Sequence, residues 1–424
     1  MALPNAKIAI LGAGPVGLTL AAILHRHGIP IHIFERNDSV SARSQGGTLD
    51  LHPNGGQKAP RAAGLLSAFL KVARRERESI RFLNENGEVI FDADRLPGPG
   101  EDEANNSGED EAYGRPEIDR ADLNQLLLDA LPHETVRWNQ HITSISPSTS
   151  SPGKWIINLP GGSAEKAVAY DLIVGADGAW SKVRPYLAPI EPEFSGITAL
   201  DVWISDLDHD QETSTLVGQG SCFAFARDRA LLFQRHGDGS ARCYVCIRSG
   251  TIGSLPLLPY QFFTNNTELN VPKSADQEID WEIPGNREVF IRKWFGHFHP
   301  RLTNAVLSMK DRAILRPLYM LPVGFTWESK SGITLLGDAA HVMTPFAGRG
   351  VNVGMIDAVE LGEGLINYFK SGQNMGLDQV VRDYELKMFK RSREDARITE
   401  MCMQASFGED GAREMGRIVS GVNN

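Results

Sequence analysis

Apolar residues along this chain change rhythm several times, and each change predicts a different element. Residues 7–11 form a short apolar run, the pattern of a strand buried on both faces. Residues 16–27 carry apolar positions at helical spacing, and Gly28 supplies a stop. Ile31, His32, Ile33 and Phe34 form a second buried-strand run ending at Glu35, so residues 7–35 predict a β-α-β unit. Short apolar runs return at 171–174 and 332–336, the latter ahead of a helical pattern over 351–369. Between 190 and 301 the segments shorten to 198–204, 222–226, 230–235 and 242–247. Turns such as Gly237-Asp238-Gly239 separate them, which predicts an antiparallel sheet. In the last fifty residues Val380, Val381, Tyr384, Met388 and Phe389 predict a long amphipathic helix. Residues 97–114, acidic and rich in Gly, Pro and Asn, read as an exposed loop, and 146–153 as a polar turn between strands.

Composition narrows the class. With 424 residues, 42% hydrophobic and 23% charged, the chain can bury a large core in two or three domains. The net charge of −10 argues against nucleic acid as a partner, because phosphate binding needs a basic face. No stretch approaches the ~18–20 apolar residues of a membrane span, and no basic leader precedes the first apolar run. The expectation is a cytoplasmic protein without a membrane partner; its oligomeric state is not legible, and a monomer is compatible with the sequence. Cys243 and Cys246 are spaced C-x-x-C, but on a strand such residues point to opposite faces, so both read as structural. His297 and His299 lack a third ligand at useful spacing, and no metal is expected.

Three glycine-containing segments carry the chemistry, and each follows a strand-like run. In the first, Gly12-Ala13-Gly14-Pro15-Val16-Gly17, Gly12 permits a tight turn and Gly14 lets backbone approach a pyrophosphate. Gly17 allows close helix–strand packing, and the helix start offers free N–H groups. Glu35, at the end of the second strand, is placed to accept ribose hydroxyls. This fingerprint does not separate NAD from FAD. The second segment is Gly175-Ala176-Asp177-Gly178. The third begins Gly337-Asp338-Ala339-Ala340-His341, where Asp338 projects from a strand end toward a polyol. It continues Pro345-Phe346-Ala347-Gly348-Arg349-Gly350-Val351-Asn352, where backbone can lie flat against a ring and a helix start can stabilise negative charge on it. Together they point to one flavin dinucleotide met three times.

With these three signatures in order over nearly its whole length, the chain resembles the class A flavin monooxygenases of the para-hydroxybenzoate hydroxylase type. Within that family it is most similar to the tetracycline-modifying flavin monooxygenases. The matching segments are Gln45-Gly46-Gly47-Thr48-Leu49-Asp50-Leu51-His52, residues 57–66, Pro116-Glu117-Ile118-Asp119-Arg120-Ala121-Asp122-Leu123 and residues 174–184. The resemblance implies an α/β fold: a Rossmann-like, glutathione-reductase-type FAD-binding domain (1–65, 109–186 and 309–374). It adds an inserted, mainly antiparallel β substrate domain (66–108 and 187–308) and a long C-terminal helix (375–424). It also implies that Glu35, Arg36, Asp50, Arg120 and Asp338 bind FAD, that Arg43 contacts NADPH, and that Asp177 serves both. The central sheet departs from the tetracycline pattern at 217–220 and 233–236. Phe225, Arg235 and Phe346 are candidates for a pocket that takes an aromatic or polycyclic small molecule.

The activity implied is an FAD-dependent monooxygenase consuming NADPH or NADH and O2. It would insert one oxygen atom through a flavin C4a-hydroperoxide into an aromatic or polycyclic small molecule of the secondary-metabolite or antibiotic-like kind. No protein side chain is then required as the catalyst, since the flavin carries the chemistry. A Baeyer–Villiger oxygenase, a flavin halogenase, a nicotinamide-only dehydrogenase and a non-catalytic binding protein stay open beside it. No W-x-W-x-I-P halogenase segment is present, and a dehydrogenase would leave the second and third signatures idle.

Overall fold

The computed structural model describes residues 6–40, 47–74, 79–95, 115–160, 168–250, 277–278, 285–371 and 376–421. The chain divides into two compact units. The first comprises residues 1–73, 118–192 and 320–398, and the second 74–117, 193–319 and 399–424.

In chain order, the first unit opens with β1 (Ile8–Leu11), α1 (Pro15–Arg26) and β2 (Ile31–Phe34). The second unit then receives β3 (Ile80–Asn84) and β4 (Val89–Asp92). Back in the first unit come α2 (Arg120–Asp129), β5 (Val136–Arg137) and β6 (Leu172–Gly175). The long central stretch of the second unit supplies β7 (Glu193–Ile204), α3 (Gln211–Val217), β8 (Ser221–Ala226), β9 (Arg229–Arg235) and β10 (Ala241–Arg248). It continues with β11 (Gln277–Glu278), α4 (Asn286–Phe295), α5 (Pro300–Ser308) and β12 (Arg312–Met320). Last come β13 (Ile333–Leu335), α6 (Asp338–His341), α7 (Gly350–Lys370), α8 (Leu377–Ser406) and α9 (Gly411–Val419).

In the first unit a five-stranded sheet runs β13-β6-β1-β2-β5, and its paired strands are parallel. Every residue of β1, β6 and β13 is buried, which is why these strands read as unbroken apolar runs. The carboxyl ends of β1, β2, β6 and β13 are followed by Gly12, Glu35, Ala176 and Leu336. All the glycine signatures therefore open at one end of the sheet, where ligands bind in such folds.

The second unit is built on an eight-stranded sheet, β11-β12-β7-β10-β9-β8-β3-β4. Neighbours β7–β10, β10–β9 and β9–β8 are antiparallel, whereas β8 and β3 are parallel. One face carries Leu200, Val202, Leu231, Phe233, Cys243 and Val245 into a core shared with Phe290, Phe295, Leu302 and Val306 of α4 and α5. Alternation sends Asp201, Trp203, Arg242 and Tyr244 to the other face. Cys243 and Cys246 lie on β10, unpaired and buried, with burial pushing both thiols up. His299 is a helix cap: its Nδ1 accepts from Arg301 N at 3.2 Å.

The C-terminal segment differs from a single helix. The 30-residue α8 stops at Ser406, and the chain turns through Phe407 and Gly408 before α9. Phe407 is fully buried, and its carbonyl accepts from Arg248 Nη2 at 2.7 Å, which holds the break in place. The acidic loop at 97–114 lies outside the described residues. Among those described, no helix is long and apolar enough to cross a membrane, and no cluster could hold a metal ion.

Candidate functional site

A cavity of about 420 Å³ opens at the carboxyl end of the parallel sheet, within the first unit. Its floor is the turn from β1 into α1. Gly12 sits at φ +107, and its N–H donates to Phe34 O at 2.8 Å. A Cβ on Gly12 would collide with Ala176 O, and one on Gly17 with Gly12 O, so both positions need glycine for space. Gly14 is different: a Cβ there would meet nothing within 4 Å, because it faces the open volume. Gly14 caps α1 without a side-chain hydrogen bond, Pro15 follows, and the first turn holds no acid. The N–H groups of that turn are thus left to an anion.

Glu35, 9% exposed, fixes the rim. Its Oε2 accepts from Ala13 N at 2.8 Å and its Oε1 from Asn37 N at 3.0 Å. The carboxylate is thereby oriented beside the glycine turn, with lone pairs remaining for ribose hydroxyls. Arg36, Arg120 at the start of α2, and Lys182 bring positive charge to the wall.

The second signature contributes Asp177. Its Oδ2 accepts from Lys182 N at 2.6 Å, while Oδ1 is buried without a hydrogen-bond partner among the described residues. Burial pushes this carboxyl up, opposed by the Ser181 hydroxyl and the Lys182 N–H. A buried acceptor left open at a cavity wall is a place for a ligand donor. Behind it the buried Arg184 donates Nη1 to Ala339 O at 2.9 Å and Nη2 to Ala179 O at 2.5 Å, tying the second signature to the third.

The third signature is held from below by α7. Asp357, fully buried, accepts Gly337 N on Oδ2 at 3.0 Å and Arg391 Nη2 on Oδ1 at 2.8 Å. His341 Nε2 lies 2.6 Å from the same Oδ2. Burial pulls the His341 pKa down, but Asp357 outweighs it and the imidazole is raised. For Asp357 burial pushes upward, yet His341 and Arg391 prevail and its carboxyl is lowered. This network fixes the loop from which Asp338 reaches the cavity wall, beside Gly350 and Val351. Like α1, α7 starts without a side-chain cap or an acid in its first turn.

Of the residues singled out from the sequence, Gly12, Gly14, Pro15, Val16, Glu35, Arg36, Arg120, Asp177, Asp338, Gly350 and Val351 line this cavity. Gly17 supports it from behind. Asn352 does not present its side chain: Oδ1 accepts from His52 N and Gly56 N, both at 2.8 Å, and Nδ2 donates to Asp50 O at 2.9 Å and Gly348 O at 3.3 Å. It is a clamp that fastens the 50–56 segment to the start of α7. Asp50 sits in that segment, where its Oδ2 lies 3.0 Å from His52 Nε2; a Cβ on Gly348 would come within 3.3 Å of its Oδ1. Pro345 and Phe346 form a short 3-10 turn in which Phe346 is 9% exposed. Arg43 lies outside the described residues.

Phe225 and Arg235 cannot share a ligand, because they fall on opposite faces of the second sheet. Phe225 packs with Phe82 and lies under α9, where a Cβ on Gly411 would approach its Cβ to 3.1 Å. Arg235 pairs with Asp208 and Ser214 on the helix-covered side. Several lining residues had not been singled out: Gln140, His141, Ile142, Trp180 and Lys182. Trp180 and Lys182 sit inside a segment already matched to the family. The other three follow β5 on irregular chain, where no periodicity marks them.

The donor set fits a flavin dinucleotide: two uncapped helix starts for negative charge, an oriented acid at the end of β2, cations on the wall and an open buried acceptor. Comparison with known proteins agrees. A family model described as FAD binding domain matches residues 5–386. Monooxygenase asqM of Emericella nidulans is 32% identical, over 95% of this chain and 96% of its own. Monooxygenase penA of Penicillium thymicola is 29% identical, over 97% and 98%. Among solved structures, Klebsiella pneumoniae HpxO complexed with FAD and uric acid superposes with a TM-score of 0.73 at 18% identity, covering 99% of this chain and 96% of HpxO. Tetracycline destructase Tet(51) superposes with a TM-score of 0.64 at 17% identity, covering 99% and 98%.

Proposed function

We propose, from the premise that this chain belongs to the FAD-binding-domain family and is a class A flavin-dependent monooxygenase, that it consumes NADPH or NADH and O2 to oxygenate an aromatic or polycyclic secondary metabolite. In this reading the first unit binds FAD and the second recognises the substrate. FAD, when bound, supplies the redox chemistry and the activation of oxygen.

The protein's part is binding and orientation. Glu35 holds the ribose hydroxyls of the adenosine half, and the start of α1 with Arg36, Arg120 and Lys182 neutralises the pyrophosphate. Asp338 and the open Oδ1 of Asp177 accept hydroxyl donors farther along the cofactor. The start of α7 stabilises negative charge on the ring. The observation that carries this reading is the convergence of all three glycine signatures on one cavity.

The test is direct. Purified protein should carry flavin absorbance bands, or regain them with FAD, and its oxidation of NADPH or NADH should accelerate with one member of a panel of polycyclic phenols, indoles and tetracyclines. A colourless protein that FAD does not reconstitute would end this reading. Flavin reduction that no substrate accelerates, and that forms no oxygenated product, would reduce it to another flavin oxidoreductase.

A further inference from the structure

The loop that leads into α7 carries a cation that the reading above does not use. Arg349 stands between Gly348, at φ +63, and Gly350, which opens α7 and lines the cavity. It is the N-cap of that helix and makes no side-chain capping bond. A cation at a helix start lies against the positive end of the macrodipole, an unfavourable place unless something offsets it. The offset comes from α8. Arg349 Nη1 donates to Asp395 Oδ1 at 2.5 Å, and the Asp395 side chain is only 13% exposed.

The charges around this pair are engaged elsewhere. On α8, Arg391 bonds Asp357 and Glu360 of α7, and Glu394 accepts from Arg397. The bond from Arg397 lowers the Glu394 carboxyl and Arg349 adds to it, so the guanidinium stands in the field of two acids of α8. From α6, Asp338 reaches the cavity wall while His341 is held by Asp357. From the 50–56 segment Asp50 approaches Gly348, where a Cβ would come within 3.3 Å of its Oδ1. Deleting one member of a paired cation and anion uncovers a whole unit charge, felt well beyond contact distance. On a ring bound against this loop, Arg349 and Asp395 therefore act with opposite signs, whereas loss of packing at either would act with one.

We propose that Asp395 sets how strongly the loop before α7 favours negative charge on the flavin ring, by neutralising Arg349 at that helix start. This rests on the reading above for the place of the flavin, and on the Arg349–Asp395 geometry for the charge. The start of α7 attracts negative charge, Arg349 adds to it, and Asp395 holds it in check. The tendency of the flavin to accept electrons is thereby tuned from α8. Neither side chain is among those that line the cavity, so both are positioning residues that act through charge.

The test is the midpoint potential of the FAD-loaded full chain, read from the flavin spectrum against a dye of known potential during slow anaerobic reduction by dithionite. At a fixed dye potential D395N, which leaves Arg349 unopposed, should raise the ratio of reduced to oxidised flavin about fivefold. R349Q should lower that ratio about as far, and R349Q/D395N should return it to within about twofold of the unaltered protein. Shifts of one sign in both single variants would mean a loosened loop, and shifts below about twofold a surface ion pair only; either result overturns the proposal. Where one variant folds poorly, the other decides by its sign and its salt dependence, since a charge effect shrinks as ionic strength rises and a packing effect does not. A protein that FAD does not reconstitute ends the flavin reading and this proposal with it. Shifts of one sign in a flavin-loaded protein end the proposal alone.

Discussion

Two glycine turns lead into helices in the first unit, and they are held by opposite means. The turn before α1 is defined by missing side chains: Gly12 and Gly17 lie where backbone oxygen leaves no room for a Cβ. The turn before α7 is defined by side chains arriving from elsewhere. Asp357 fixes Gly337 and His341, Asn352 fastens the 50–56 segment, and Arg349 Nη1 pairs with Asp395 at 2.5 Å. The first is a steric device and the second an electrostatic one. They should therefore fail under different perturbations.

The steric turn should give the largest effect. Gly12→Ala imposes an L side chain at φ +107 and a collision with Ala176 O, at a cost of roughly 3 kcal/mol or more. Chemical denaturation should show that loss together with absent flavin. Gly14→Ala is the contrast: the fold should keep its unfolding midpoint while FAD affinity drops about tenfold or more, because the methyl enters ligand space. A Gly14→Ala protein that binds FAD normally would place the cofactor elsewhere.

The electrostatic turn should break next. Asp357→Asn removes the buried counter-charge of His341 and leaves Arg391 with Glu360 alone, at about 3–5 kcal/mol. The unaltered network also sets a pH dependence. His341 is raised above 6.5 in the folded state, so its contribution is complete below that pH and is lost as pH rises through the folded value. Asp357 is lowered below 3.8, so its contribution is present above that pH and lost as pH falls through its folded value. Thermal melts should decline on the alkaline side of pH 6.5, and Asp357→Asn should flatten that decline; an unchanged slope would dissociate His341 from the network.

The smallest effect belongs to Arg349→Ala. Its side chain is 37% exposed, so loss of the Asp395 pair should cost no more than about 1 kcal/mol. Salt titration of the melting temperature should show it, and a larger loss would make this pair a principal support of the turn.

The same contrast explains what was legible. Gly12, Gly14, Gly17 and Glu35 could be read because steric and capping demands act over one β-α-β unit, within about thirty residues of chain. The parallel strands were legible because burial on both faces writes a continuous apolar run. Asp357, Asn352 and Arg391 were not legible in these roles, since a polar residue within a helix looks the same whether it faces solvent or a loop 300 positions away. Gln140 and His141 reach the cavity from irregular chain with no period to mark them.

Sequence by itself determined the order of elements and the places where backbone must approach a dinucleotide, because those constraints are local and leave glycines at fixed spacing. Only the tertiary structure decided which side chains share a face. It separated Phe225 from Arg235 and brought Arg242 onto Trp203, because strand parity and register are set by pairing across the sheet, and it set the Asn352 side chain between the 50–56 segment and the start of α7.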